Sequence, residues 1–350
     1  MTIAFYISGH GLGHATRDIE LINEIVRQRD DVRIEVRTSV ASWVFGRIRG
    51  SGVHVEPCET DTGMVQFDSL GHDVEETARC AAAFYRDFGP RVAAECARLR
   101  EIDARLVIGD APPLAFAAAR AADLPSVLVA NFTWDWIYAF YPEFESLAPG
   151  VVETIAAAYA PAARALRLPI SGGFESVAAV TEDVPFIARR STRDPADTRR
   201  VLGIAPSQRL VLSSFGGFGV TLPADQLAAS GLTVIGPTRL PPEGLQYEDL
   251  VAAADLVVSK PGYGVVSECV AARKPLLYTS RGRFAEYDVM VAEMPRMLRC
   301  RYIEQADLLA GNWHDGIEAL LGQEEPPQRP RVDGVSVVAS AILGMACLIP

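Results

Sequence analysis

Ile3-Ala4-Phe5-Tyr6-Ile7 runs through Ser8 into Gly9-His10-Gly11-Leu12-Gly13-His14, and a helical pattern follows from Ala15. An apolar strand, a tight glycine turn and a helix make a seat for an anion. Glycines let backbone N–H groups approach a phosphate, and the helix N-terminus adds partial positive charge. The spacing is G-x-G-x-G rather than the G-x-G-x-x-G of a dinucleotide turn, and the next strand, Arg33 to Thr38, ends in Arg37-Thr38 without an acidic residue. The stretch reads as a phosphate-handling loop and not as an NAD site.

Outward from this loop, short β-branched runs alternate with helical patterns, which is the signature of parallel sheets wrapped by helices. Strands are expected at Ile3–Ser8, Arg33–Thr38, Val53–Pro57, Leu106–Gly109 and Ser126–Ala130, and helices at Thr16–Gln28, Thr77–Arg100 and Leu114–Ala122. Thr181 to Arg200, with Pro185, Pro195 and five arginines, reads as a linker. A second alternation follows, with strands at Leu210–Ser213, Thr233–Ile235, Leu256–Ser259 and Pro275–Thr279. The proline-rich stretch Gln323 to Arg331 is expected to cross outside the fold. The expected class is α/β, with two doubly wound, Rossmann-like domains facing each other across a cleft. Ligands should lie at the carboxyl ends of the strands.

The 350 residues suffice for two full cores. A net charge of −11 argues against a nucleic-acid partner. No apolar stretch reaches the roughly 18 residues of a membrane span, and Met1 leads straight into a strand, so a cytoplasmic location is expected. The six cysteines form no C-x-x-C pair, and no histidine has metal-ligand spacing. No metal site is expected. Only two lysines occur, Lys260 and Lys274, against 31 arginines, and Lys260 stands inside a glycine-bearing loop.

The second half repeats the strand–glycine turn–helix arrangement twice. Ser214-Phe215-Gly216-Gly217-Phe218-Gly219 follows one expected strand, and Lys260-Pro261-Gly262-Tyr263-Gly264 follows another, leading into Val265-Val266-Ser267-Glu268. Three such turns in one chain are a stronger signal than any one of them.

The segments GHGLGHATR, Asn131-Phe132-Thr133-Trp134-Asp135-Trp136-Ile137-Tyr138 and SKPGYGVVSE, with the later Phe284-Ala285-Glu286-Tyr287, resemble the glycosyltransferase-like domain at the N-terminus of plant L-arabinokinases. More distantly the chain resembles the family-28 glycosyltransferases of GT-B fold, such as the peptidoglycan GlcNAc-transferase. The close resemblance spans nearly the whole chain; the distant one rests on the first loop and on Gly262 to Glu268.

The resemblance implies an N-terminal acceptor-side domain over 1–184, a nucleotide-sugar domain over 185–331, and a terminal helix in 332–350 packing back on the first. It implies a metal-independent transferase that moves a sugar from a nucleoside diphosphate, with UDP preferred, to a hydroxyl on a small or lipid-linked acceptor. The nucleotide sugar is a substrate, and no cofactor is implied. The resemblance leaves peripheral membrane contact open, although the acidic charge disfavours it. Glu268 stands where such enzymes bind the ribose hydroxyls, a task for which two carboxylate oxygens are suited. The alternative is a glutamate complementing the helix dipole.

Ser214, Gly216, Gly217, Lys260, Gly262, Tyr263 and Gly264 would cradle the diphosphate, and Glu286 would read the donor sugar or stand solvated. Gly11 and Gly13 would meet a phosphate. His14, with His10 as a second candidate, would take the acceptor proton, bind a phosphate, or merely cap the helix. Asp110 would orient that base, bind the acceptor or cap a helix. Asn131, Trp134 and Trp136 would form an acceptor wall, with core packing as the equal alternative. Arg17 would pair with a phosphate or, as the favoured reading, on the helix surface with Asp18 or Glu20. A nucleotide-sugar epimerase or hydrolase, or a non-catalytic regulator, remain the competing functions.

Overall fold

A computed structural model of the protein describes residues 1–216, 219–236 and 244–347. The chain divides into two compact units: unit 1 comprises Met1–Gln66, His72–Ile187 and Asp333–Pro350, and unit 2 comprises Phe67–Gly71 and Ala188–Val332.

Unit 1 is built on seven parallel strands among the described residues. These are β1 (Thr2–Ile7), β2 (Arg33–Thr38), β3 (Val53–Pro57), β6 (Ala104–Asp110), β7 (Ser126–Phe132), β8 (Arg164–Gly172) and β9 (Thr181–Asp183), in the order β3-β2-β1-β6-β7-β8-β9. A two-stranded antiparallel ribbon, β4 (Val65–Gln66) with β5 (His72–Asp73), lies in the insert between β3 and β6. All six residues of β1 and all seven of β7 are buried, as expected of central strands covered on both faces. The helices are α1 (Gly13–Gln28), α2 (Val74–Arg86), α3 (Phe88–Glu101), α4 (Pro113–Ala121), α5 (Trp134–Ala139), α6 (Glu143–Leu147) and α7 (Val151–Tyr159).

The chain runs outward through β2 and β3, then returns past β1 to start the other half with β6. Between β1 and β6 lies the topological switch point, where the loops at the carboxyl ends diverge and leave a crevice.

Unit 2 carries α8 (Pro195–Val201), β10 (Arg209–Ser214), α9 (Ala224–Ala229), β11 (Leu232–Ile235), α10 (Tyr247–Ala253), β12 (Leu256–Ser259), α11 (Tyr263–Ala272), β13 (Leu276–Tyr278), α12 (Ala285–Met297), β14 (Cys300–Tyr302), α13 (Gln305–Ala310) and α14 (His314–Leu321). Its parallel sheet has the order β11-β10-β12-β13-β14, so its switch point falls between β10 and β12. Val211, Leu256, Val258, Leu277 and Trp313 are among the residues of its core. Leu70 packs on that core, which ties the short segment Phe67–Gly71 to unit 2.

The last helix, α15 (Gly334–Cys347), lies against α1. No helix among the described residues is long and apolar enough to cross a membrane.

Two expected elements differ. The helix read over Thr77–Arg100 is two helices, α2 and α3, broken at Asp87, which has a non-helical ψ of 19°. The stretch 181–200 is not merely a linker. It supplies the edge strand β9, and α8 starts with Pro195 behind an Asp194 cap that accepts from the Ala196 N–H at 2.7 Å.

Candidate functional site

The first glycine turn stands at the switch point of unit 1, directly after β1. Gly9 is fixed by contact, because a Cβ there would lie 2.0 Å from the Ser39 hydroxyl oxygen. Gly11 has φ +68°, the left-handed region that glycine enters without strain. Gly11 and Gly13 are exposed, and α1 starts at Gly13.

On the first turn of α1, His14 Nδ1 lies 2.9 Å from Asp110 Oδ1, at the carboxyl end of the neighbouring strand β6. A neutral imidazole that donates from Nδ1 to a carboxylate keeps its lone pair on Nε2. That nitrogen makes no hydrogen bond among the described residues. Asp110 is fully buried. Burial works to raise its pKa, but the Arg17 charge and the hydrogen bonds from His14 and Arg17 outweigh it and hold the carboxyl well below its ordinary range.

Arg17 is not a surface residue. It is buried, donating from Nε to Asp110 Oδ2 at 2.7 Å, from Nη2 to Asp110 Oδ1, and from Nη1 to Asn131 Oδ1 at 2.8 Å. The expected surface placement gives way to a buried one because α1 is covered on this side, and a buried guanidinium needs buried acceptors. Asn131 is accordingly a partner of Arg17 inside the protein. Asp18, fully buried beside Asp110, is pushed well above the ordinary carboxylate range, by burial first and by the Asp110 charge second.

His10 differs from His14. Its Nδ1 accepts the Met64 N–H at 3.2 Å, so the neutral ring carries its proton on Nε2 and its lone pair is already engaged. Trp134 is fully buried, edge-on to His10 and Phe132, and gives its indole N–H to Asp61 at 2.9 Å. It therefore packs the inside of the loop. Trp136 closes on the Gly172–Gly173 turn, where a Cβ at Gly172 would lie 2.3 Å from its ring.

In unit 2 the two remaining glycine turns follow β10 and β12, the strands that flank the second switch point. Gly216 has φ +76°, and Gly217 lies outside the described residues. The Ser259 hydroxyl donates to the Ser214 carbonyl, and the Ser214 hydroxyl meets the Tyr247 hydroxyl at 2.6 Å. These bonds tie one turn to the other. Gly262 is the cap of α11, and Tyr263 and Gly264 form its first turn.

Glu268 is buried on that helix and paired with Arg189, whose Nε donates to its Oε1 at 2.5 Å. The Arg189 guanidinium lies over the Tyr247 ring, 4.6 Å from its centre. Lys260 has its pKa lowered to about 8, by burial first and by the charge of Arg281 second. Glu286 is buried rather than solvated, 3.9 Å from an Arg281 nitrogen.

Asp61, Arg189, Tyr247 and Arg281 thus join the sites without having been singled out in the sequence, and Asp18 joins them as a buried neighbour of Asp110. No group of three or more metal-ligating side chains occurs among the described residues.

No family model matches the chain. Over 92% of its length it is 30% identical to L-arabinokinase of Arabidopsis thaliana, of which it spans 32%, about a third. Among solved structures it is similar to CalG4, the calicheamicin glycosyltransferase, with a TM-score of 0.62, 15% identity, and 99% and 97% of the two chains covered. It is also similar to UGT2 of Phytolacca americana complexed with UDP-2-fluoro-glucose and pterostilbene, with a TM-score of 0.58, 12% identity, and 99% and 94% coverage. The chain has the GT-B fold. In this GT-B chain each switch point carries the polar residues just described: His14, Asp110 and Arg17 in unit 1, and the two glycine turns with Glu268 in unit 2.

Proposed function

We propose that the protein is a glycosyltransferase that moves a sugar from a nucleoside diphosphate sugar, UDP-linked, to a hydroxyl acceptor. The observation that carries this reading is the His14–Asp110 pair at the carboxyl edge of β1 and β6, with Nδ1 engaged and Nε2 left for a proton. UDP as the donor nucleotide is supported by solved structures of similar fold that hold UDP or UDP-2-fluoro-glucose.

In this reading Nε2 of His14 takes the acceptor proton as the acceptor oxygen bonds to the sugar C1. The C1–O bond to the diphosphate breaks, and its electron pair leaves with the diphosphate, inverting the sugar carbon. Lys260 and the N–H groups at the start of α11 meet the growing negative charge. Glu268 accepts the ribose hydroxyls and exchanges Arg189 for them in whole or in part. A positioned base contributes about 10²–10⁴ in rate.

One observation favours the regulatory alternative. Arg17 engages both oxygens of Asp110, and so neutralises the carboxylate that would stabilise an imidazolium on His14. Incubation with a panel of nucleotide sugars, with and without hydroxyl acceptors, separates the readings. The transferase releases nucleoside diphosphate in step with glycoside, and His14→Ala loses a hundredfold or more of that rate while still binding the nucleotide. Stoichiometric binding with no turnover on any acceptor would leave the regulator.

A further inference from the structure

The turn after α11, the residues before β14 and the proline-rich stretch 323–331 enclose a cavity of about 260 Å³ in unit 2. It lies at the amino ends of β13 and β14, since Pro275 precedes Leu276 and Arg299 precedes Cys300. The glycine turns stand at the opposite, carboxyl edge of the same sheet.

Five cationic side chains line this cavity, Arg190, Arg273, Lys274, Arg299 and Arg329, against one carboxylate, Glu325. In a chain of net charge −11 this is a local reversal of sign. Arg299 is 3.7 Å from Glu325, whereas the side chains of Arg190, Arg273 and Arg329 make no ion pair or hydrogen bond among the described residues. Glu325 and, near Lys274, Asp255 offset part of this charge, and the cations still in excess repel one another until an anion enters.

Two further features fix the backbone that carries two of these cations. Arg273 ends α11 in the left-handed conformation, φ +54° and ψ 42°, at a position where glycine is favoured. The proline-rich stretch that carries Arg329 is pinned across the cavity by the Gln328 N–H on the Arg296 carbonyl at 2.9 Å and by the Gln323 side chain on the Cys300 carbonyl at 3.0 Å.

We infer that this cavity is a second anion site, separate from the glycine turns, for a small phosphorylated ligand of about diphosphate size. Its volume falls below the roughly 300–1,000 Å³ of pockets that enclose drug-sized ligands. It therefore has room for a pyrophosphate or a sugar phosphate.

The test is calorimetric titration of the full chain with pyrophosphate and, separately, with glucose 1-phosphate, at constant ionic strength set by chloride. Arg273→Gly relieves the left-handed strain while removing a charge, and Lys274→Gln removes a second. Lys260→Gln reports on the glycine turns alone. The expected result is a saturable site for at least one of the two ligands, whose affinity falls tenfold or more in Arg273→Gly/Lys274→Gln and less than twofold in Lys260→Gln. Tighter glucose 1-phosphate would identify a sugar phosphate as the ligand, and tighter pyrophosphate a bare diphosphate. Binding that survives the double substitution, that is lost only in Lys260→Gln, or that chloride displaces as pure screening would overturn the inference.

Discussion

Replacing Arg17 with methionine removes the centre of the buried network and leaves its stem volume in place. The guanidinium makes two hydrogen bonds to Asp110 and one to Asn131, and all three residues are buried. Without it the Asp110 carboxylate keeps His14 but loses its fixed counter-charge, and the Asn131 oxygen loses the Arg17 donor. Breaking a buried pair from one side costs about 3–5 kcal/mol. At about 2–4 °C per kcal/mol for a domain of this size, the melting temperature falls by roughly 6–20 °C. Urea unfolding at pH 7, followed by circular dichroism, measures the loss directly.

The pH dependence gives a second check. Asp110 has its pKa depressed in the folded state, so its stabilisation is present above the ordinary carboxylate range and is lost as the pH falls through and below it. The gap between wild type and Arg17→Met should therefore narrow on acidification. Arg17→Met/Asp110→Asn, with both charges gone, should recover about 1–3 kcal/mol of the loss. A loss under about 1 kcal/mol at pH 7, with an unchanged pH profile, would show that water replaces the guanidinium and would refute the buried-network argument.

Three other outcomes are expected. Asp18 has its pKa raised in the folded state, so folding above the ordinary carboxylate range carries a proton penalty that asparagine removes; Asp18→Asn should melt higher than wild type at pH 8 and equally at pH 4, and a pH-independent difference would contradict this. Lys260, at about 8, is largely neutral at pH 8.5, and an anion bound beside it raises its pKa; UDP binding should then take up protons at pH 8.5 and almost none at pH 7, read as a buffer-dependent enthalpy at the higher pH alone. A Cβ at Gly334 would lie 2.3 Å from the Pro185 carbonyl oxygen, whereas one at Gly344 meets nothing within 4 Å. Gly334→Ala should thus cost about 1–3 kcal/mol and speed hydrogen exchange in α15, while Gly344→Ala, in the interior of the helix, gains up to about 1 kcal/mol.

The fold was largely legible because its central strands are short β-branched runs between glycine turns and helices. Arg33–Thr38, Val53–Pro57 and Leu256–Ser259 appear with the same bounds in sequence and structure. β8 escaped because Arg164, Arg167 and the internal Pro169 break an apolar reading, and β9 because it is three residues long and lies in an arginine-rich stretch. In the site, the glycine turns could be read because their chemistry is local to a few consecutive residues.

Arg17 was read against its neighbours at one and three residues, whereas its partner is Asp110, 93 residues away. Spacing along one helix cannot reveal a carboxylate contributed by another strand. Trp134 was ambiguous for the same reason, since an aromatic after a strand serves a wall or a core equally well until Asp61 and His10 are placed around it. Arg189 stood in the expected linker, with nothing nearby to mark its pairing with Glu268.

Titration of UDP into the full chain, compared with Glu268→Gln and followed by calorimetry, tests the central claim most directly. Glutamine keeps the side-chain shape and one acceptor oxygen, so a change in affinity reports on the carboxylate. Saturable one-to-one binding of UDP to the wild type, weakened tenfold or more in the variant, is the predicted result. No binding of UDP, GDP, ADP or dTDP at millimolar concentration would contradict the nucleotide-sugar account altogether.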